Sequence, residues 1–210
     1  MPLPRPPRPE RRAALALIGA GIAALTLPAR AQGGFDLVQL MRMLALVKAG
    51  EATFVETRSV AMLDHTLHSS GRLSFEAPDT FVRETLTPRR ERIAVVGNLV
   101  TMSLGTRTRT VPLDSVPEAA VIMEAIRGTL TGNREAIERN FSATVSGAPQ
   151  RWTLALTPNE PRLRALVVSV RLSGRQAQVR EMTVAMADGD RSVMTIEPVV
   201  PGTRSASAAS

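Results

Sequence analysis

The sequence predicts a mainly-β domain with some α-helix: about eleven antiparallel strands in one sheet, and two substantial helices to cover its apolar side. Three observations lead there. After Gly50 the apolar residues recur with a period close to two, in short segments punctuated by Gly, Pro, Asn and Asp. That pattern is interrupted once, by a helical segment opening at Pro117. The chain has 210 residues, 44% of them hydrophobic, which suits one ordinary domain with a real core and excludes a large multidomain enzyme.

The first segment is not part of the fold. Arg5, Arg8, Arg11 and Arg12 precede an uncharged stretch from Ala13 to Leu27, followed by Pro28 and the small-residue pattern Ala29-Arg30-Ala31. These are the three regions of an export signal, with cleavage expected between Ala31 and Gln32. The alternative, a membrane anchor, needs roughly 20 apolar residues, more than Ala13 to Leu27 supplies. Arg11-Arg12 leaves the twin-arginine route open beside the Sec route. Residues 1–31 are therefore expected to be a cleaved signal, 32–200 a single domain and 201–210 a flexible tail of small polar residues.

Losing five arginines and one glutamate with that signal lowers the formal charge from +7 to +3. The remaining positive charge is scattered arginine, with Lys48 the single lysine, so no nucleic-acid footprint survives. There is no cysteine, hence no disulfide, no thiol nucleophile, no Cys-based metal site and no lipidation point at the cleavage site. The expected product is soluble in the periplasm.

From Phe35 to Gly50, Leu37, Leu40, Met41, Leu44 and Val47 form one helical stripe, with Gly50 as its stop. Strands are then expected at Ala52 to Met62, Gly71 to Glu76, Thr80 to Thr87, Arg92 to Val96, Leu99 to Leu104 and Thr106 to Leu113. Gly97-Asn98 and Gly105 provide hairpin turns, and Ala77-Pro78-Asp79 divides two strands. Pro117 opens a helix carrying Ala119, Ile122, Met123, Ile126 and Leu130, ended by Gly132-Asn133, and a short helix from Arg134 to Arg139 follows. Period two returns in Phe141 to Ser146, Arg151 to Thr157, Leu163 to Leu172, Gln178 to Ala187 and Ser192 to Glu197.

Each later strand has one apolar face: Trp152, Leu154 and Leu156; Leu166, Val168, Val170 and Leu172; Met182, Val184 and Met186; Met194 and Ile196. Such a sheet hides its apolar side by closing on itself or under helices. Six methionines, Met41, Met102, Met123, Met182, Met186 and Met194, fall on apolar faces. Flexible thioethers suit a guest of variable shape such as an acyl chain, although each alone also reads as ordinary core.

Catalytic patterns are scarce. There is no Gly-x-Ser-x-Gly elbow, phosphate-binding glycine loop or His-Glu-x-x-His. His65 and His68, in Asp64-His65-Thr66-Leu67-His68-Ser69-Ser70, form the best enzyme-like cluster, but two imidazoles fall short of a metal's three or four ligands, and a polar loop is the simpler account. Asp188-Gly189-Asp190 reads as a hairpin tip rather than a calcium loop. The chain is expected not to be an enzyme, and no cofactor or metal is implied.

The order of elements behind an export signal resembles that of the periplasmic outer-membrane lipoprotein carrier family, the LolA-like proteins. Ala52-Thr53-Phe54-Val55-Glu56-Thr57-Arg58 is similar to that family's Phe-x-Gln/Glu opening strand, and Gly71 to Pro78 to its Gly-x-Leu-x-Phe-x-x-Pro. Phe81-Val82-Arg83-Glu84-Thr85 with Pro88 looks like its next strand, and Val95-Val96-Gly97-Asn98 occupies the place of its turn. The resemblance, covering residues 35 to 198, implies a half-open β-barrel of the LolA/LppX type, its concave face covered by helices. It implies a monomeric carrier that takes the acyl chains of a lipoprotein or another acylated envelope lipid from an inner-membrane donor to an outer-membrane acceptor. In that family an arginine before the strand-ending proline helps to hold the lid closed; here that position is Ala77, leaving Arg72 or Arg83 as substitutes.

The lipid-binding residues expected on this basis are Phe54, Leu73, Phe75, Met102, Leu104, Ile122, Met123, Ile126, Trp152, Leu154, Leu156, Val168, Met182 and Val184. The alternative is an envelope scaffold or regulator that binds a protein partner on the same concave surface.

Overall fold

The computed structural model describes residues 34–199, so the expected signal, its cleavage point and the tail lie outside the described residues. Asp36 caps α1 (Leu37–Leu44), its carboxylate accepting from the Gln39 amide at 2.8 Å, and Leu40, Met41 and Leu44 are buried. The helix is shorter than its stripe suggested. Gly50, expected as its stop, lies in β1 (Ala49–Ser59), opposite Phe75 of β2 (Leu67–Glu76). The Ala77 amide donates to the Lys48 carbonyl at 2.8 Å, so the ladder captures residues that would otherwise have made one more helical turn.

The remaining strands of the first half, β3 (Thr80–Thr87), β4 (Glu91–Val96), β5 (Leu99–Leu104) and β6 (Arg107–Pro112), each pair with the one before. A short turn of helix (Leu113–Ser115) leads into α2 (Pro117–Leu130) and α3 (Arg134–Asn140). The second half is β7 (Phe141–Ala148), β8 (Arg151–Pro158), α4 (Pro161–Arg164), β9 (Val167–Arg175), β10 (Gln178–Met186) and β11 (Arg191–Pro198). All eleven strands form one antiparallel sheet in the order β6-β5-β4-β3-β2-β1-β11-β10-β9-β8-β7. It is two meanders joined where the first strand meets the last, with β6 and β7 as its edges.

The half-open barrel follows from this order. The chain must pass from one edge to the other between β6 and β7, and α2 and α3 make that passage while covering the inner face. α2 is apolar on more than one side because it is packed on more than one side. Val121 and Ala125 enter a cluster with Leu40, Leu44, Ile137, Trp152, Leu154, Leu156, Val170 and Val184. Ala120, Met123, Ile126 and Leu130 pack against a second cluster of Phe81, Val95, Val100 and Leu113.

Two residues expected to be covered on the inner face are exposed instead. The segment Leu163 to Leu172 is not one strand: α4 precedes β9, and the β9–β10 register shifts between Ala185 and Met186. Across that irregularity the alternation breaks, burying Val167 and leaving Val168 48% exposed. Leu104 shares the inner parity of Val100 and Met102, but it ends β5 opposite Arg107 and is 38% exposed.

Gly132 closes the C-terminal end of α2 with φ +65°, and a Cβ there would lie 2.3 Å from the Met41 carbonyl oxygen. Gly132→Ala therefore combines left-handed strain with a backbone collision against α1. It is expected to lower stability by about 3 kcal/mol, read as a fall in the urea midpoint without change in slope.

Candidate functional site

Most of the inner face is filled by helices, but one part is hollow. Beneath the first turns of α2 lies a cleft of about 340 Å³. Its floor comes from Glu56 and Arg58 of β1, Arg83 of β3, Val184 and Met186 of β10, and Asp190, Arg191 and Ser192 at the β10–β11 hairpin. Its roof is Val116, Glu118, Ala119 and Ile122.

Strand register explains why charge stands on a greasy face. Phe54, Glu56 and Arg58 share one parity of β1; opposite them are Gly71, Ser69 and Leu67 on β2, and Ile196, Met194 and Ser192 on β11. Arg83 shares its parity with Phe81 and stands opposite Leu73 and Ile93. Glu56 and Arg83 thus meet on the inner face, from strands separated by β2.

Both oxygens of Glu56 are engaged, as are two of the three nitrogens of Arg83. Arg83 Nη2 donates to Glu56 Oε2 at 2.6 Å and to Ser69 Oγ at 3.1 Å, while Ser69 Oγ donates to Glu56 Oε2 at 3.0 Å. Ser192 Oγ donates to Glu56 Oε1, and Arg83 Nε to Thr85 Oγ1 at 3.3 Å. The guanidinium carbon lies 4.6 Å from the Phe54 ring centroid. At the rim, Arg58 Nη2 donates to Asp190 Oδ2 at 2.8 Å, and the Ala61 amide to Asp190 Oδ1 at 3.0 Å.

Burial pushes the Glu56 carboxyl up, but hydrogen bonds from Arg83 and Ser192, the Arg83 charge and the Ser69 hydroxyl together hold it below its ordinary 4.5. The Arg58 hydrogen bond, then the Ala61 amide, hold Asp190 below 3.8. Both carboxyls bind protons more weakly folded than unfolded, so their contribution is complete above the unfolded values and is lost as pH falls through the folded ones. Thermal melting should therefore show stability falling below about pH 4.5, with a shallower fall for Glu56→Gln than for the wild type.

The sequence-predicted residues are divided by this geometry. Ile122 and Val184 line the cleft. Trp152, Leu154 and Leu156 are wholly buried, with Met182 against them. Phe54, 2% exposed, lies under Arg83. Phe75, Met102, Met123 and Ile126 belong to the second cluster, and Leu73 is half-buried on the inner face. Leu104 and Val168 are exposed.

The lid contact also differs from expectation. Arg72 is exposed, and Arg83 holds Glu56 rather than a lid carbonyl. Instead Arg127 of α2 donates from Nη2 to the Gly97 carbonyl in the β4–β5 turn at 2.6 Å, so the arginine is on the helix and the acceptor on the sheet. His68 lies on β2, its Nδ1 3.3 Å from Thr57 Oγ1 and its Nε2 3.2 Å from Thr66 Oγ1. Among the described residues no group of three or more His, Asp or Glu is placed to hold a metal ion, and no helix is long and apolar enough to cross a membrane.

Sequence reasoning named Glu56 only within a motif, and Arg83 within a motif and as a lid candidate. The available signal was opposite charges on the apolar parities of Phe54 and Phe81.

Comparison with known proteins places these features in context. The family model described as outer membrane lipoprotein carrier protein LolA-like matches residues 29–208. Among solved structures, the chain is similar to a LolA superfamily protein from Nitrosomonas europaea, at 8% identity and TM-score 0.42, covering 75% of this chain and 90% of that one. It is also similar to an outer membrane lipoprotein-sorting protein domain from Vibrio parahaemolyticus, at 9% identity and TM-score 0.43, covering 81% and 93%. A third is a DUF1329 family protein from Desulfovibrio piger, at 10% identity and TM-score 0.45, covering 78% and 90%. No curated protein matches.

Proposed function

From the premise that this chain belongs to the LolA-like family of outer membrane lipoprotein carrier proteins, we propose that it is a periplasmic acyl-chain carrier. It holds the chains of a lipoprotein or another acylated envelope lipid between α2 and the inner face of the sheet, and carries them from an inner-membrane donor toward an outer-membrane acceptor. The observation that supports this most is the cleft under α2, walled by Ala119, Ile122, Val184 and Met186. Its floor is fixed by strands, while its roof belongs to a crossing helix. A guest larger than about 340 Å³ requires α2 to lift, exchanging Met123 and Ile126 for acyl carbon against the second cluster.

Native mass spectrometry with lipid extraction, on protein purified from the periplasm, tests the reading. The wild type should carry acyl lipid, and Ala119→Trp, which fills the cleft from its roof, should leave with less than about a tenth of it while still melting cooperatively above the assay temperature. A folded protein that is empty and indifferent to added lipid would transfer the role to a protein partner on the same face.

A further inference from the structure

The inner face carries one polar inset among its apolar rows. Glu56, Ser69, Arg83, Thr85 and Ser192 are joined by hydrogen bonds across β11, β1, β2 and β3. Both Glu56 oxygens are engaged, as are Nε and Nη2 of Arg83. Nη1 of Arg83 has no acceptor among the described residues, although the residue lines the cleft and its side chain keeps 29% of its surface open. A guanidinium fixed on three sides, with its remaining N–H groups free in a cleft whose far wall is the apolar row Ala119, Ile122, Val184 and Met186, is a donor waiting for a ligand oxygen.

The charge around that donor restricts what the oxygen belongs to. Glu56, Glu118 and Asp190 balance Arg58, Arg83 and Arg191 among the cleft-lining residues. A free carboxylate would bring an uncompensated negative charge beside Glu56. A neutral carbonyl would accept the same hydrogen bond without that repulsion.

We propose that Arg83 is a specificity-determining residue: its Nη1 donates to the carbonyl oxygen of an ester- or amide-linked acyl chain, the chain runs along Ile122, Val184 and Met186, and Glu56 excludes the free fatty acid. This rests on the acyl-carrier reading and adds to it the part of the lipid that is recognised. Glu56 acts through Arg83, as a positioning residue that also sets the charge of the site.

Displacement of a fluorescent acyl probe from the full mature protein tests this, with monopalmitoyl glycerol, palmitoyl ethanolamide, palmitate and hexadecane as competitors at pH 8. The two neutral carbonyl compounds should bind about tenfold more tightly than palmitate, whose carboxylate meets the repulsion of Glu56. Whichever of the two binds more tightly shows whether the site prefers the ester or the amide linkage. Glu56→Gln should invert the preference toward palmitate. The paired variant Glu56→Gln/Arg83→Met, which leaves no unpaired buried charge, should lose about tenfold for monopalmitoyl glycerol and almost nothing for hexadecane. Palmitate binding the wild type as tightly as monopalmitoyl glycerol would overturn the proposal, and that comparison needs no variant to fold. An unchanged ester-to-hydrocarbon ratio in a folded paired variant would overturn it too. In either case retained hexadecane binding leaves the carrier reading standing, whereas failure of every competitor to displace the probe removes both.

Discussion

Trp152→Ala is expected to cost the domain about 4 kcal/mol, a fall in melting temperature of about 10 °C or more by circular dichroism. The indole is wholly buried, in the cluster that joins α1, α2 and α3 to β7–β10. Its ring fits against Gly174, where a Cβ would lie 2.4 Å from the indole Cζ2, and its Nε1 donates to the Gln176 carbonyl at 2.8 Å. Truncation leaves a cavity and also removes that hydrogen bond to the β9–β10 hairpin. If the loss were under about 1 kcal/mol, the site would be able to collapse and Trp152 would not organise this core. The same residue is consequently a poor probe of ligand binding, because its loss would act through folding.

Fastening α2 to the sheet should slow acyl uptake by about tenfold or more, since a state in which the roof cannot lift is withdrawn from the binding-competent population. The absence of cysteine makes this a clean experiment. Arg127 reaches the Gly97 carbonyl, so Arg127→Cys with Asn98→Cys places two thiols within range of a reducible bifunctional crosslinker. Uptake should fall on crosslinking and return on reduction. Equal uptake in both states would show that lipid enters without movement of α2. Arg127→Ala alone should act in the opposite direction, raising the rate of uptake by removing the contact.

Much of the architecture was legible because period-two patterning and turn residues are local signals. Thr80–Thr87 and Leu99–Leu104 fall where the alternation places them, and α2 runs from its proline to the residues before Gly132. Where the pattern misled, a nonlocal interaction decided. Gly50 was drawn into β1 by pairing with Phe75, and Val168 was turned outward by an irregularity in a ladder that its own sequence does not reveal. The candidate site was less legible for a related reason. Alternation identifies an apolar face but not what covers it, so Trp152, Leu154 and Leu156 looked equivalent to Ile122 and Val184 until α1 and α3 were seen to fill their end. The meeting of Glu56 and Arg83 depends on the register of three strands, which no single segment encodes.

The central seam of the sheet has a consequence for biogenesis. β1 and β11 are neighbours, although most of the domain's sequence lies between them, so their pairing closes the longest loop in the fold. A chain emerging from its N-terminus can build β1–β6 early, but that meander's free β1 edge and uncovered apolar face must wait for the final strand. Until β11 arrives, the protein is two half-sheets with sticky margins, the form in which a β-protein is most open to aggregation and proteolysis. Folding of this domain should thus be slow and completed by its last strand, with an apolar face exposed until that strand is in place.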